Sequence, residues 1–426
     1  MGIPPRTARY SPPDLLPIGG VSPWTWGSHR LYNCLRRGTR APMSSRSETR
    51  REWRMLRNVD VVLLAATLLL TIVGVVMVTS ATSHRPVGGD PYFYTTRQAT
   101  WALISLGVMV AFMMLDYINF QRYAHFLYAG MLVILALVLI LGRTVQGAQS
   151  WLRLGILDFQ PSEASKILII LCLGALLGQR TAPIRRWLEF VLPGLYVAIP
   201  MLLIIRQPDL GTSLVFAGIL IGMLFISGAC AKKLALVAGV GILVLSLGMY
   251  LHLVHDMPLP LRRHQVQRLT AFLDPQVDPL GTGYHLRQSL IAIGGGRGWG
   301  QGLFSGNQNR LKFLPEQHTD FIFAVVGEEL GLAGVAVLLS LYLLVFWRAI
   351  HIAVEARDPY GSLLAAGIVS MMAFHVLVNA GMALGVMPIT GLPLPFVSYG
   401  GNNLMVNFAA IGILQSIRMR RQAILF

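Results

Sequence analysis

The chain has 426 residues, of which 54% are hydrophobic and only 13% are charged, and its mean hydropathy is +0.60. Soluble domains carry about twice that share of charge, and apolar runs of about 17 to 25 residues recur along this chain with almost no charge inside them. These features exclude a soluble protein with one large core. We therefore predict an all-α, polytopic membrane protein.

About half of the net charge of +16 lies in residues 1–58, a stretch rich in Pro and Arg without apolar periodicity. We predict that these residues form a disordered cytoplasmic tail. A basic tail ahead of a first span attracts anionic lipid and helps to orient the chain, and we favour that role over nucleic-acid binding.

Ten apolar stretches predict ten transmembrane helices in a membrane domain of residues 59–420. The stretches lie at about 59–80, 99–115, 124–142, 163–178, 187–205, 212–228, 233–253, 328–347, 361–385 and 396–417. Basic residues occupy every second short connection, which by the positive-inside rule places both termini in the cytoplasm. Residues 255–319, between spans seven and eight, then form a large extracytoplasmic loop.

The predicted outer loop 255–319 contains seven Arg or Lys residues against four Asp or Glu residues. Charge alone is consistent with a solvated loop and with an anion-binding surface. The stretch SLIAIGGGRGWGQG exposes backbone amides that suit phosphate, but its spacing matches no dinucleotide or P-loop motif. On this predicted side, the candidate contacts to an anionic substrate are Arg206, Arg268, Arg297, Lys312 and His318.

Two polar motifs precede the fourth and sixth spans. In QPSEASK, Ser162 is predicted to be the N-cap of a helix, and Glu163 and Lys166 are spaced to lie on one face. Helix capping with snorkelling of Lys166 and a direct role for the pair are both consistent with this pattern. In RQPDLGTS, Arg206 and Asp209 lie at the predicted outer mouth of the sixth span.

The stretch LPEQHTDFIFAVVGEELG places carboxylates in an apolar run, where a charge is costly unless it is used or paired. From Asp320 the run extends for about 28 residues, or about 42 Å of helix, against about 30 Å of hydrocarbon. We therefore expect a break at Gly327 or Gly331, with Asp320 at the outer interface. On a continuous helix Glu328 lies about 80° and Glu329 about 180° around from Asp320. This favours one catalytic carboxylate over a glycosidase-like pair.

Several motifs, taken together, resemble those of the SEDS proteins (shape, elongation, division and sporulation). They are QPSEASK, QPDLGTS, FLDPQVDPLGTGYH, LPEQHTDFIFAVVGEELG and PITGLPLPFVSYGGNN, and the resemblance covers about residues 59–420. GQGLFSGNQNRLKFLPE and GAQSWLRLG resemble the RodA elongation branch, whereas VGEELG and DPYFYTTRQ resemble the FtsW division branch. We favour the elongation branch and keep the division branch as an alternative. Asn402 and Asn403 stand where the family usually has two small hydroxyl residues.

The resemblance implies a peptidoglycan glycosyltransferase that polymerises lipid II at the outer face of the bacterial cytoplasmic membrane. It also implies a partner, a class B penicillin-binding protein that crosslinks the product. Asp320 corresponds to the family's essential acid, and Glu163 with Lys166 to its buried helix pair. Asp209 is a further candidate supporting residue, and a divalent cation, Mg or Mn, held at Asp320 is the one cofactor that we consider.

The chemistry of the implied reaction agrees with a single acid on a basic outer face. Pyrophosphate is a good leaving group, so one base and a set of cations suffice for the transfer. Two other classes of function stay open, a lipid II flippase and a non-catalytic membrane scaffold.

Overall fold

A computed structural model describes the chain from residue 58 to residue 421, apart from gaps at residues 85–87, 146–147, 155–156, 181–183, 185, 256–262, 275, 277 and 279–280. Residues 1–57, which make up nearly all of the predicted tail, lie outside the described residues, as do residues 422–426. In the described part the backbone is predominantly α-helical.

The described residues form a series of helices and one small sheet. The helices are α1 (Val61–Thr82), α2 (Phe93–Met114), α3 (Tyr117–Arg122), α4 (Ala124–Leu141), α5 (Pro161–Gly178), α6 (Leu188–Arg206), α7 (Leu210–Ile226), α8 (Ala231–His255), α9 (Arg263–Leu273), α10 (Thr282–Gly296), α11 (Asn307–Arg310), α12 (Ile322–Val354), α13 (Pro359–Ala383) and α14 (Gly401–Met419). The strands are β1 (Arg143–Val145), β2 (Ala148–Leu154) and β3 (Leu157–Phe159), which pair antiparallel in sequence order. The sequence did not predict this sheet, because strands this short show too little alternation of apolar and polar residues to be told from a loop.

Eight of the described helices, α1, α2, α4, α5, α6, α8, α12 and α13, are long and apolar enough to cross a membrane. Two further predicted spans coincide with α7, which has 17 residues, and α14, which has 19. Every predicted span therefore overlaps a helix, and the prediction of an all-α, multi-pass membrane protein is confirmed. The number of ten spans and the side on which residues 255–319 lie stay predictions.

Helices α5 and α13 lie in the middle of the bundle. In their apolar stretches 78% and 67% of the residues are buried, whereas the value for α2, α4 and α6 is 22%. Helix α13 packs against α5, α7 and α12. Polar side chains on α5 and α13 are thus enclosed by protein, where each needs a partner.

The start of α5 differs from the prediction that Ser162 is its N-cap. Helix α5 begins at Pro161, with Gln160 in the N-cap position, so Ser162 lies inside the first turn. The fixed φ of proline suits the first helical position, and this preference outweighs capping by the hydroxyl. The Ser162 hydroxyl instead donates to Asp209 Oδ2 at 3.1 Å, while Asp209 Oδ1 accepts from the amide of Thr212 and caps α7.

Helix α12 has 33 residues and is broken at Gly331, where φ is 64° and ψ is −163°. The predicted break is confirmed at the second of the two proposed glycines. The loop after α10 pairs with the opened turn. The Gln301 amide donates to the Glu328 carbonyl at 3.0 Å, and the Leu332 amide donates to the Arg297 carbonyl at 2.9 Å.

Replacing Gly331 by alanine should destabilise the fold. A Cβ at this position would clash with the Gly300 nitrogen, and a φ of 64° is unfavourable for a residue with a side chain. We expect a loss of about 2 kcal/mol or more, measured as a lower thermal midpoint. The control is Gly130→Ala in α4, where nothing lies within 4 Å of the added Cβ. Equal midpoints in the two variants would show that the break is not under steric constraint.

Candidate active site

The segment that precedes α12 is fixed through three consecutive backbone carbonyls, those of residues 318–320. The carbonyl of residue 318 accepts from the Tyr399 amide at 2.9 Å, and that of residue 319 accepts from the Ser398 hydroxyl at 2.6 Å. The carbonyl of residue 320 accepts from the Asn379 side-chain amide at 2.9 Å. None of these bonds uses the carboxylate of Asp320. The backbone at this position is therefore held independently of the acidic group.

The Asp320 carboxylate and the Arg268 guanidinium both lie close to one backbone position between α13 and α14. A Cβ on Gly391 would lie 3.3 Å from Asp320 Oδ2 and 3.5 Å from Arg268 Nη1. The same nitrogen of Arg268 donates to the Thr390 carbonyl at 3.3 Å. Gly391 has a φ of 74°, so its conformation and its lack of a side chain both make room for the two charged groups.

Burial raises the pKa of Asp320 from an ordinary value of 3.8 to about 6. The positive charge of Arg268 and a hydrogen bond from Thr319 act to lower this pKa, and the negative charge of Glu316 acts to raise it. Although protein atoms crowd the carboxyl group, part of the residue is accessible to solvent. A carboxylate with a pKa of about 6 on a partly exposed residue is suited to general base catalysis.

His318 lies in an aromatic cluster beside Asp320. Its ring centroid is 4.9 Å from that of Tyr94 and 5.5 Å from that of Tyr399, and the two tyrosine rings are 5.3 Å apart. All three residues are partly exposed. The contact with substrate that was predicted for His318 stays a prediction. The structure shows the ring in this aromatic cluster, two residues before Asp320.

The predicted cationic contacts fall into two groups. Arg268, on α9, is half-buried next to Asp320. Arg206 ends α6, Arg297 follows α10 and Lys312 follows α11, and all three are exposed. Among the described residues, Arg268 is the cation whose charge acts on the pKa of Asp320, and none of these three does so. Arg268 is therefore the cation that the fold brings to the acid.

The predicted pair of Glu163 and Lys166 is present and buried at the start of α5. Lys166 Nζ lies 2.7 Å from Glu163 Oε1, and the Lys166 side chain is 1% exposed. The ammonium is thus held inside the bundle rather than extended to its surface. It also lies 3.0 Å from Nε2 of His375 on α13, a partner that was not predicted.

Glu328 and Glu329 hold the loop that precedes α12. Both Glu329 oxygens accept from the Ser80 hydroxyl, at 2.6 and 2.7 Å, and Oε1 also accepts from the Asn309 side chain at 3.2 Å. Glu328 Oε1 accepts from the Gln308 amide at 2.8 Å. Both acids are buried. These contacts support the interpretation of the two acids as structural groups.

The two asparagines that replace the family's hydroxyl residues keep polar contacts. The Asn402 side chain donates to the Asp158 carbonyl at 3.0 Å and so joins the start of α14 to strand β3. Asn403 is buried, and its side-chain and backbone oxygens accept from the amide of Asn407. The two asparagines therefore anchor this segment through their side chains.

Three residues around the acid, His375, Asn379 and Gly391, were not predicted from the sequence. His375 and Asn379 are polar residues four positions apart within the predicted span 361–385, and a polar group inside a span is a signal for a functional or structural contact. Gly391 carried no such signal, because its role depends on two side chains that come from other parts of the chain.

In the described residues no group of three or more His, Cys, Asp or Glu side chains is arranged to hold a metal ion. Near Asp320, Glu316 is the second carboxylate whose charge acts on the site. Mg²⁺ is commonly bound by one or two carboxylates and completes its shell with water and substrate phosphates. The donors at Asp320 suit a divalent ion that binds together with a phosphorylated substrate.

Together the fold and the site define a multi-pass membrane protein in which the Asp320 carboxyl, with a raised pKa, lies near the Arg268 guanidinium. The chain belongs to the FtsW/RodA/SpoVE family of cell cycle proteins, whose profile matches residues 60–423. The predicted membership of the SEDS proteins is thereby confirmed.

Relatives from two branches of the family are similar to the chain to nearly the same degree. The peptidoglycan glycosyltransferase MrdB of Escherichia coli is 38% identical over 366 residues, which are 85% of this chain and 95% of that protein. A probable peptidoglycan glycosyltransferase FtsW of Geobacter metallireducens is 37% identical, with coverage of 85% and 95%. A solved structure described as "Structural coordination of polymerization and crosslinking by a peptidoglycan synthase complex" is 31% identical, with a TM-score of 0.71 and coverage of 85% of this chain and 98% of that chain.

Proposed function

We propose that this chain is a peptidoglycan glycosyltransferase that polymerises lipid II into glycan strands for cell elongation. The observation that carries the proposal is the Asp320 carboxylate, which is ionisable near neutral pH and lies beside the Arg268 guanidinium. The similarity to MrdB, a peptidoglycan glycosyltransferase, supports the same activity here. The elongation branch rests on the two RodA-like stretches, and septal synthesis is the alternative.

In the proposed reaction the sugar 4-hydroxyl of one lipid II attacks the anomeric carbon of another. As the glycosidic bond forms, the Asp320 carboxylate takes the hydroxyl proton, which is worth about 10² to 10⁴ in rate. The bond from the anomeric carbon to the pyrophosphate oxygen breaks, and undecaprenyl pyrophosphate leaves with the electron pair. Arg268 neutralises the charge that develops on the pyrophosphate.

A divalent cation, Mg²⁺ or Mn²⁺, is part of the proposal. Asp320 would hold it, with pyrophosphate oxygens and water as the other ligands. When bound, the ion would polarise the pyrophosphate and stabilise its departure. The buried pair of Glu163 and Lys166, with Asp209 beside it, supports the site from within the bundle.

The proposed partner is a class B penicillin-binding protein that crosslinks the strands. A similar solved structure is described as a peptidoglycan synthase complex that coordinates polymerization and crosslinking, which supports a paired arrangement here. The proposed location is the bacterial cytoplasmic membrane, with both termini in the cytoplasm.

The proposed orientation can be tested with cysteines. Asn307 on α11 is exposed, and so is the native Cys230, which precedes α8 on the predicted inner side. In a chain with Cys34→Ser, we expect a membrane-impermeant maleimide to label Asn307→Cys in intact cells and to label Cys230 only after permeabilisation. Cys172 is buried and serves as an unlabelled reference. The reverse pattern would place Asp320 on the wrong side for lipid II that has crossed the membrane.

The activity itself is tested with purified protein and lipid II in detergent, alone and with the partner, followed by a gel for glycan strands. We expect strands that depend on this chain. A flippase or a scaffold needs no base and would make no polymer under any of these conditions. The absence of strands from the complete, folded pair would overturn the proposed function.

A further inference from the structure

One face of α13 carries two buried polar side chains, His375 and Asn379. They lie four residues apart, so they are neighbours on the same side of the helix. Their exposed fractions are 1% and 0%. Each contacts both a group from the earlier part of the chain and the segment of residues 390–393 that follows α13.

His375 connects the buried ion pair to this segment. Its Nε2 lies 3.0 Å from Lys166 Nζ, and its Nδ1 lies 3.1 Å from the Pro393 carbonyl. An ammonium group only donates and a carbonyl only accepts. The ring is therefore neutral, with Nε2 accepting from Lys166 and the proton of Nδ1 donated to Pro393.

Asn379 connects the same segment to the acid. Its side-chain amide donates to the Asp320 carbonyl at 2.9 Å and to the Leu392 carbonyl at 2.8 Å. One group thus ties the segment that precedes α12 to the segment that follows α13. Loss of these donations would leave buried carbonyls without a partner, which is costly.

Segment 390–393 is fixed at three of its four carbonyls. Thr390 accepts from Arg268, Leu392 from Asn379 and Pro393 from His375. The remaining residue, Gly391, is the position against which the Asp320 carboxylate and the Arg268 guanidinium lie. The placement of the acid relative to its cation therefore depends on how α13 holds this segment.

We propose that His375 and Asn379 are positioning residues, which fix segment 390–393 to the buried pair of Glu163 and Lys166 and thereby set the place of the Asp320 carboxylate beside Arg268. The inference rests on the proposed polymerase activity. It gives the buried pair a role without contact to substrate. Glu163 orients Lys166, Lys166 fixes the ring of His375, and the ring holds the segment.

Two substitutions of His375 separate the two hydrogen bonds of its ring. The amide of Asn reaches the place of Nδ1, so His375→Asn keeps the bond to Pro393 and loses the acceptor for Lys166. The amide of Gln reaches the place of Nε2, so His375→Gln keeps the acceptor for Lys166 and loses the bond to Pro393. Asn379→Leu keeps the shape of Asn379 and removes both of its donations.

The experiment compares strand formation, kcat, KM for lipid II, the pH–rate profile and the thermal midpoint for wild type and these variants. We expect His375→Gln and Asn379→Leu to lower kcat about 10- to 100-fold with little change in KM, because a small misplacement of a reacting group has this effect. Their pH–rate midpoint should rise, because a displaced Asp320 carboxylate loses the positive charge of Arg268 that lowers its pKa. His375→Asn keeps the bond to Pro393 and loses only the link to Lys166, so it should lower kcat less than His375→Gln does, with a lower thermal midpoint from the unsatisfied Lys166.

The wild-type lane of the same gel separates this inference from the proposed function. If wild type forms no strands, the proposed function fails; if wild type forms strands and the variants behave like wild type, only this inference fails. The inference is overturned if His375→Gln keeps the wild-type kcat and pH–rate midpoint. It is equally overturned if the loss of kcat in the two His375 variants follows their thermal midpoints, since that is the result of a structural role alone.

Discussion

Asp320→Asn should abolish glycan strand formation while the protein stays folded and bound to its penicillin-binding partner. The amide keeps the shape of the side chain but cannot take the proton of the attacking hydroxyl, so we expect a loss of at least about 10² to 10⁴ in rate. The hydrogen bonds that fix residues 318–320 go to backbone carbonyls and are unaffected. The measurements are a strand gel, the thermal midpoint and a partner pull-down on the same preparation.

Stability at neutral pH should not fall in this variant. The pKa of Asp320 is raised from 3.8 to about 6 by burial, so the ionised form is disfavoured in the folded protein. A raised carboxyl pKa contributes stability below pH 3.8 that is lost as the pH rises through about 6. Above that pH the neutral amide is therefore at least as stable as the carboxylate.

The matched control is Glu328→Gln. The amide oxygen can still accept from the Gln308 amide, so the loop before α12 should keep its anchor and the rate should fall much less. A preparation of Asp320→Asn that polymerises lipid II at near the wild-type rate would remove Asp320 from the chemistry.

With no divalent ion bound at Asp320, the rate of strand formation should depend on pH with a midpoint of about 6 on its acidic side, the pKa of the Asp320 carboxyl. A bound ion would lower this midpoint. Below the midpoint the carboxyl is protonated and cannot act as a base, so the rate should fall about tenfold for each pH unit. Above it the rate should reach a plateau. Single-turnover measurements from about one pH unit below the midpoint to about two above it would test this, and a profile that is flat across this range is the contrary outcome.

The parts of the fold that depend on local pattern could be predicted from the sequence. Apolar runs located the helices of the bundle, and the excess length of the run from Asp320 predicted the break found at Gly331. The spacing of Glu163 and Lys166 predicted their pairing. In each case the interacting residues are close together in the sequence, so helix geometry alone brings them together.

The contacts around the acid depend on residues that are far apart in the sequence. Arg268, Arg297 and Lys312 look alike in a basic loop. Of these three, Arg268 is the one whose charge acts on Asp320, because α9 brings it close to Gly391, where the carboxylate also lies. The fold brings these segments together, and no local pattern specifies which basic residue will meet which acid. The capping error at Ser162 has a different origin, a competition between two local preferences that Pro161 wins.

The most direct test of Asp320 as the tuned base is the pH–rate profile of Arg268→Gln. The positive charge of Arg268 lowers the pKa of Asp320, so its removal should move the midpoint to higher pH than in wild type. Arg297→Gln, which neutralises an exposed arginine without contact to Asp320 in the described residues, should leave the midpoint unchanged. The same midpoint in wild type and both variants would mean that the titrating group is not Asp320.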